Sequence, residues 1–185
     1  MSAISFNWLL PFSSHKNRRL QSILASLLLA CAIGLSATAA HAIEVGDTLN
    51  IDNLTTIDGQ TITSADLAGK HLVVQVWATW CPYCHRQNMN LIELVNRTEG
   101  MPMQVIGLSI DRKPEAVPPY VEKHGLNFPV AMMTPELDKA IGKRAGIPEL
   151  YVVDPSGKVI QKDYGEMIDL DVWDLMDFVS PPPKD

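Results

Sequence analysis

The chain has 185 residues, 46% of them hydrophobic, with 21 acidic side chains against 15 basic and a net charge of −6. That length allows one domain with an apolar core. The acidic balance excludes nucleic acid as a partner, whose phosphates demand basic patches.

Lys16, Arg18 and Arg19 precede a mostly apolar run, LQSILASLLLACAIGLSATAA, closed by Ala40-His41-Ala42. A positive n-region, an apolar h-region and an A-x-A end describe a secretory signal over residues 1–42, cut after Ala42. Gln21 and several Ser and Thr residues make the run a marginal spanning helix, so an uncleaved anchor is the alternative. Leu28-Leu29-Ala30-Cys31 also weakly resembles a lipidation box. Such a leader places the protein in the periplasm or another extracytoplasmic compartment. Those 42 residues hold three of the basic residues and none of the acids. The remainder carries twelve against twenty-one, a net −9, read as a solvated acidic surface.

Residues 43–179 are expected to form one domain. Asp58-Gly59 between short β-prone pieces of Ile51–Thr63 predicts a hairpin, and Ser64–Leu67 a single helical turn ended by Gly69. His71–Trp80, HLVVQVWATW, is apolar on both faces and predicts a buried central strand. From Pro82 the pattern turns helical, with Leu91, Ile92, Leu94 and Val95 on one face and a stop at Gly100. Met103–Ile110 is a second apolar strand. Pro114–Lys123 reads as a helix with Pro118 and Pro119 breaking or kinking its first half. A strand over Phe128–Met132 and a helix over Pro135–Lys143 come next. The strands Leu150–Val153 and Lys158–Tyr164 flank the turn Asp154-Pro155-Ser156-Gly157. Asp169–Val179 predicts a last helix, and residues 180–185 (SPPPKD) a disordered tail. The order implies an α/β domain with a mixed sheet covered by helices on both faces.

Of the three cysteines, Cys31 leaves with the leader, so Cys81 and Cys84 remain. A bridge over two residues closes too short a loop to constrain the unfolded chain much, so this pair is there to react. Cys81-Pro82-Tyr83-Cys84-His85 carries two signatures, the Cys-x-x-Cys of dithiol exchange and the Cys-x-x-Cys-His of haem attachment. At a strand-to-helix junction Cys81 meets free N–H groups and the positive end of the helix dipole, which favour its thiolate. Pro82 suits the first helical position. Cys84 lies one turn further in, positioned to resolve a mixed disulfide. Trp80 precedes the pair and Tyr83 lies within it. His85 and Arg86 add charge near it, or are plain helix surface, the reading preferred for Arg86. Pro-Tyr between the cysteines is the glutaredoxin-type pair, associated with potentials of about −200 to −230 mV. Ile147-Pro148 precedes the strand LYVV.

These residues resemble the TlpA-like and ResA-like family of extracytoplasmic thioredoxins, which includes the CcmG/DsbE cytochrome c maturation proteins. The resemblance rests on VVQVWATWCPYC, VIGLSID, YVEKHGLNFPV and GIPELYVVDPSGKVI, from about Val45 to Met167. It implies a thioredoxin-like fold with an added N-terminal β-hairpin, Cys81 as nucleophile, Cys84 as resolving thiol, and a cis Pro148 that exposes the Ile147 backbone to substrate. It also implies reduction of a disulfide-bearing partner protein, such as an apocytochrome c, with re-reduction by a membrane thiol donor. No cofactor or metal is implied, and a monomer is expected. Three positions depart from the family. Gln87 stands where many relatives have Glu, and Gln75 where thioredoxin has a buried Asp. Glu149 follows the proline where most relatives have Thr. Glu149 is either a general acid/base facing the cysteines across the cleft or a half-exposed strand residue.

Thiol oxidation on the same fold is one alternative. A Cys/His module for copper or zinc, built on Cys81, Cys84 and His85, is another. Haem attachment needs a second axial ligand, such as Met89 or Met132-Met133, and a helical pocket that a strand before the motif does not suggest. A thiol peroxidase lacks the Thr that peroxiredoxins place three residues before the nucleophile, since position 78 is Ala.

Overall fold

The structure is a computed structural model that describes residues 42–180. The leader expected over 1–42, except Ala42 itself, and the tail beyond Ser180 lie outside the described residues. No helix among the described residues is long and apolar enough to cross a membrane.

β1 (Leu54–Thr55) and β2 (Thr61–Ile62) form an antiparallel pair, turned at Gly59, whose φ of 83° is open to glycine at little cost. The pair is shorter than a free hairpin because its turn is used elsewhere. Thr56 bridges Ala131, and Ile57 N–H donates to the Val130 carbonyl at 2.8 Å. α1 (Ser64–Leu67) is one turn closed by a Thr63/Asp66 capping box.

The main sheet takes β3 (His71–Trp77), β4 (Met103–Ser109), β5 (Val130–Met132), β6 (Glu149–Val153) and β7 (Val159–Tyr164) in the order β5-β4-β3-β6-β7. β3, β4 and β5 run parallel, while β6 and β7 are antiparallel additions. The helices are α2 (Pro82–Arg97), α3 (Val117–His124), α4 (Pro135–Ile141) and α5 (Asp169–Asp174). A 3₁₀ turn over Pro114–Ala116 leads into α3, and another over Leu175–Phe178 follows α5. Pro118 and Pro119 therefore sit in the first turn of α3, where their missing N–H groups cost nothing. The expected kink becomes a helix start.

Alternation along β3 divides the core. Val73 and Trp77 face one layer with Leu150, Val152, Leu91 and Leu94 of α2, Val117 of α3 and Val172 of α5. Leu72, Val74 and Val76 face the other with Ile106, Leu108, Tyr151, Leu67 of α1 and Leu137 and Ile141 of α4. Helices on both faces explain why β3 reads as apolar on both its faces, with Gln75 the interior exception. The sheet, its two helical layers and the N-terminal antiparallel pair agree with the architecture expected from sequence.

Gly107, at the centre of β4, allows Trp77 to pack. A Cβ there would lie 2.9 Å from Trp77 Nε1 and 3.2 Å from Phe128 Cε2. Both side chains are buried, so neither moves cheaply. Gly107→Ala is expected to destabilise the fold by about 1–3 kcal/mol through overpacking, read from denaturant midpoints at unchanged slope.

Candidate active site

β3 ends at Trp77, three residues short of the expected Trp80, because the chain turns there. Ile110 N–H donates to the Trp77 carbonyl at 2.9 Å and Cys81 N–H to that of Ala78 at 3.2 Å. Asp111, 8% exposed, holds this turn to the end of β4. Its carboxylate accepts from Thr79 N–H at 2.9 Å, Thr79 Oγ1 at 2.6 Å and Ser109 Oγ at 2.8 Å.

Cys81 is the N-cap of α2, and its Sγ accepts from Cys84 N–H at 3.1 Å. Pro82 occupies the first helical position. Cys81 and Cys84 are joined as a disulfide with Cα atoms 5.2 Å apart. Cys81 is 4% exposed and Cys84 fully buried, while Trp80 and Tyr83 stand out beside them at 66% and 56%. Ile147-Pro148 is a cis peptide, as the resemblance implies, and the Ile147 carbonyl oxygen lies 3.7 Å from Cys81 Sγ. Pro148 is buried and Ile147 partly so. The structure thus gathers Trp80, Cys81, Pro82, Tyr83, Cys84, Ile147 and Pro148 in one place.

His85 turns toward α3 instead of lying free on the helix surface. Its Nδ1 is 3.0 Å from Tyr120 Oη, and its ring meets His124 edge-on at 4.6 Å. Tyr120 in turn packs on Trp77, with centroids 5.1 Å apart. Burial first, and also the Asp111 charge, push the Tyr120 phenol above its usual range, with the neighbouring Asn88 amide opposing. Arg86 matches the plainer expectation. It lies on the surface, 4.8 Å over the Tyr83 ring and paired with both Glu166 oxygens at 2.6 and 2.5 Å.

The His124 imidazole is held below its ordinary value, by partial burial first and then by positive charge on His85 and Lys123. A depressed folded-state pKa means the contribution to stability is complete above about pH 6.5 and lost as pH falls through the folded value. His124 is expected to titrate below about 6.5 by proton NMR, and His85→Gln to move that midpoint upward.

Beneath the disulfide lie amides where a carboxylate was a possibility. Gln75, Gln87 and Asn88 are fully buried. Gln75 Nε2 donates to Asn88 Oδ1 at 2.7 Å, and Gln87 Oε1 accepts from Met167 N–H at 2.8 Å.

Glu149 is not half exposed but 2% exposed, and it faces away from the cysteines. In register it pairs with Val76, so it shares the face of Val74, Val76 and Tyr151, whereas Cys81 and Cys84 belong to the opposite layer. Its carboxylate is 3.6 Å from Lys162 Nζ, which also binds the Ile43 carbonyl and Glu44 at 2.9 Å. That geometry is a buried structural tie, and it corrects the reading of Glu149 as an acid/base across the cleft.

Sequence reasoning missed Asp111, Thr79, Asn88, Tyr120 and His124. The available signal was topological. Asp111 follows β4 and Thr79 follows β3, at the carboxyl ends of parallel strands where sites of open α/β sheets form.

Among the described residues, no three His, Cys, Asp or Glu side chains converge as a metal-binding group. The Redoxin family model matches residues 43–177. The chain is 28% identical over 172 residues to the thiol-disulfide oxidoreductase ResA of Bacillus thuringiensis subsp. konkukian, covering 90% of this chain and 99% of that one. It is 34% identical over 116 residues to the thiol:disulfide interchange protein DsbE of Allochromatium vinosum, 62% of this chain and 61% of that one. A thioredoxin-family thiol:disulfide interchange protein of Chlorobium tepidum superposes with a TM-score of 0.63 at 27% identity, over 77% of this chain and 99% of that one. The thioredoxin domain of a Bacteroides vulgatus thiol-disulfide oxidoreductase gives 0.66 at 19% identity, over 75% and 100%, a likeness of fold. With this fold, the disulfide at the head of α2 and a family match over most of its length, the chain belongs to the Redoxin family and is a ResA- and DsbE-like member of it.

Proposed function

We propose that the protein is an extracytoplasmic thiol–disulfide oxidoreductase that reduces disulfides in partner proteins. One observation carries the reading: Cys81 heads α2 with its sulfur against the Cys84 N–H and beside the Ile147 carbonyl. In the reduced protein that N–H and the helix dipole stabilise a Cys81 thiolate. The thiolate attacks one sulfur of a substrate disulfide, forms a mixed disulfide and expels the other sulfur, which takes up a proton. Cys84 then gives up its proton and attacks Cys81 Sγ, releasing the second substrate thiol and closing the Cys81–Cys84 bond. Two electrons pass to the substrate, and a thiol donor restores the dithiol. Ile147 offers its backbone beside the sulfur to an extended substrate segment. His85 and Tyr83 shape the rim.

The direction of transfer, a role in cytochrome c maturation and a membrane donor rest on the resemblance to ResA-like proteins, and a cleaved or anchoring leader on the basic and apolar pattern of residues 1–42. Redox titration of the Cys81/Cys84 pair in thiol/disulfide buffers tests the direction. A potential near or below about −250 mV is expected of an electron donor, and one near −120 mV identifies an oxidant and overturns the reductase reading.

A further inference from the structure

Seven large hydrophobic side chains are exposed among the described residues; two of them, Trp80 and Tyr83, lie at the head of α2, and two more, Ile168 and Leu170, lie at the start of α5. The segment carrying Ile168 runs alongside that helix, tied by Arg86 to Glu166, Gln87 to Met167 N–H and Asn90 to Asp169. Tyr83 lies under Arg86, and Arg86 pairs with Glu166, two residues before Ile168, which links the aromatic rim of Cys81 to the segment carrying Ile168 and Leu170. Exposed apolar side chains linked in this way to a reactive sulfur form a strip for whatever brings a disulfide to it.

Its charge selects among partners. Residues 163–180 hold Asp163, Glu166, Asp169, Asp171, Asp174 and Asp177 and no Lys or Arg. Glu166 is paired with Arg86, and Arg97 stacks 4.4 Å over Trp173. Asp171 and Asp174 stand exposed on α5 with Leu170. From the exchange reading above, we infer that this strip docks a partner polypeptide carrying basic and apolar side chains beside its disulfide. Apolar contacts seat it and the carboxylates steer it, which affects association rate more than strength.

The test uses the full chain with Cys31→Ser and Cys84→Ser, leaving Cys81. Two short peptides, each with one cysteine activated as a thionitrobenzoate disulfide and the same apolar residues, carry lysines in one case and glutamates in the other. The lysine peptide is expected to react about tenfold faster at low salt, with the ratio shrinking as salt rises. Asp171→Lys with Asp174→Lys is expected to invert the order, which damage to the fold would not do. Ile168→Ser with Leu170→Ser is expected to slow both peptides. Equal rates, or a preference untouched by the charge reversal, overturn the proposal. So does a dimer in sedimentation that the Ile168/Leu170 variant abolishes, because a second copy then owns the strip. Failure of Cys81 to react even with hydroxyethyl disulfide overturns the exchange reading itself, and the docking proposal with it.

Discussion

Cys84→Ser is expected to stop turnover at the mixed disulfide, lowering steady-state disulfide reduction by about three orders of magnitude or more. The argument rests on the asymmetry of the pair. Cys81 caps α2 with its sulfur on a backbone N–H, while Cys84 lies one turn inside, fully buried. A serine at 84 leaves the attacking group intact but removes the thiol that releases the adduct. The variant should therefore accumulate one covalent substrate equivalent on Cys81, visible as an added mass that reductant removes. Cys81→Ser should lose as much activity and trap nothing. An adduct on Cys84 in the Cys81→Ser protein, with appreciable turnover, would reverse the assigned roles.

Gln75→Glu is expected to destabilise the protein strongly at neutral pH although the side chains are nearly isosteric. Gln75 is fully buried at mid-sheet, bonded to Asn88 and flanked in register by Gly107 and Leu150. Burial penalises an ionised carboxylate and raises its pKa by about three units or more from about 4.3. The unfolded chain ionises first, so the variant matches the parent below about pH 4 and loses stability as pH rises toward the folded value. Three units correspond to about 4 kcal/mol. Turning Asn88 to donate its amide to the new carboxylate would reduce that figure. Denaturant unfolding from acid to neutral pH reads the effect. A gap between variant and parent that does not widen with pH would show that the carboxylate is not desolvated there.

Much of this was legible in the residues. The largely apolar run His71–Trp77, interrupted by Gln75, and the later run Met103–Ser109 announce central strands because helices cover both faces, and the switch to helical spacing at Pro82 marks the junction that matters. Cys81 and Cys84 stand out because a bridge so short adds little stability. The cis Ile147–Pro148 bond came only from family resemblance, since nothing local to a Gly-Ile-Pro sequence distinguishes cis from trans. Glu149 shows how alternation decides a role. One residue past the proline, the strand register turns its side chain to the far face, where it meets Lys162 instead of the cysteines. Asp111, Tyr120 and His124 were hidden for another reason. Their contacts with Thr79 and His85 span more than thirty residues, and only sheet order and helix packing bring them together.

The most direct measurement is the pH dependence of alkylation of the fully reduced full chain by iodoacetamide, with each cysteine followed by mass after proteolysis. The account predicts that Cys81 reacts first, with a midpoint below the free thiol value of about 8.5, while Cys84 stays protected until the protein unfolds. Equal rates at the two positions, or reaction of Cys84 first, would contradict it.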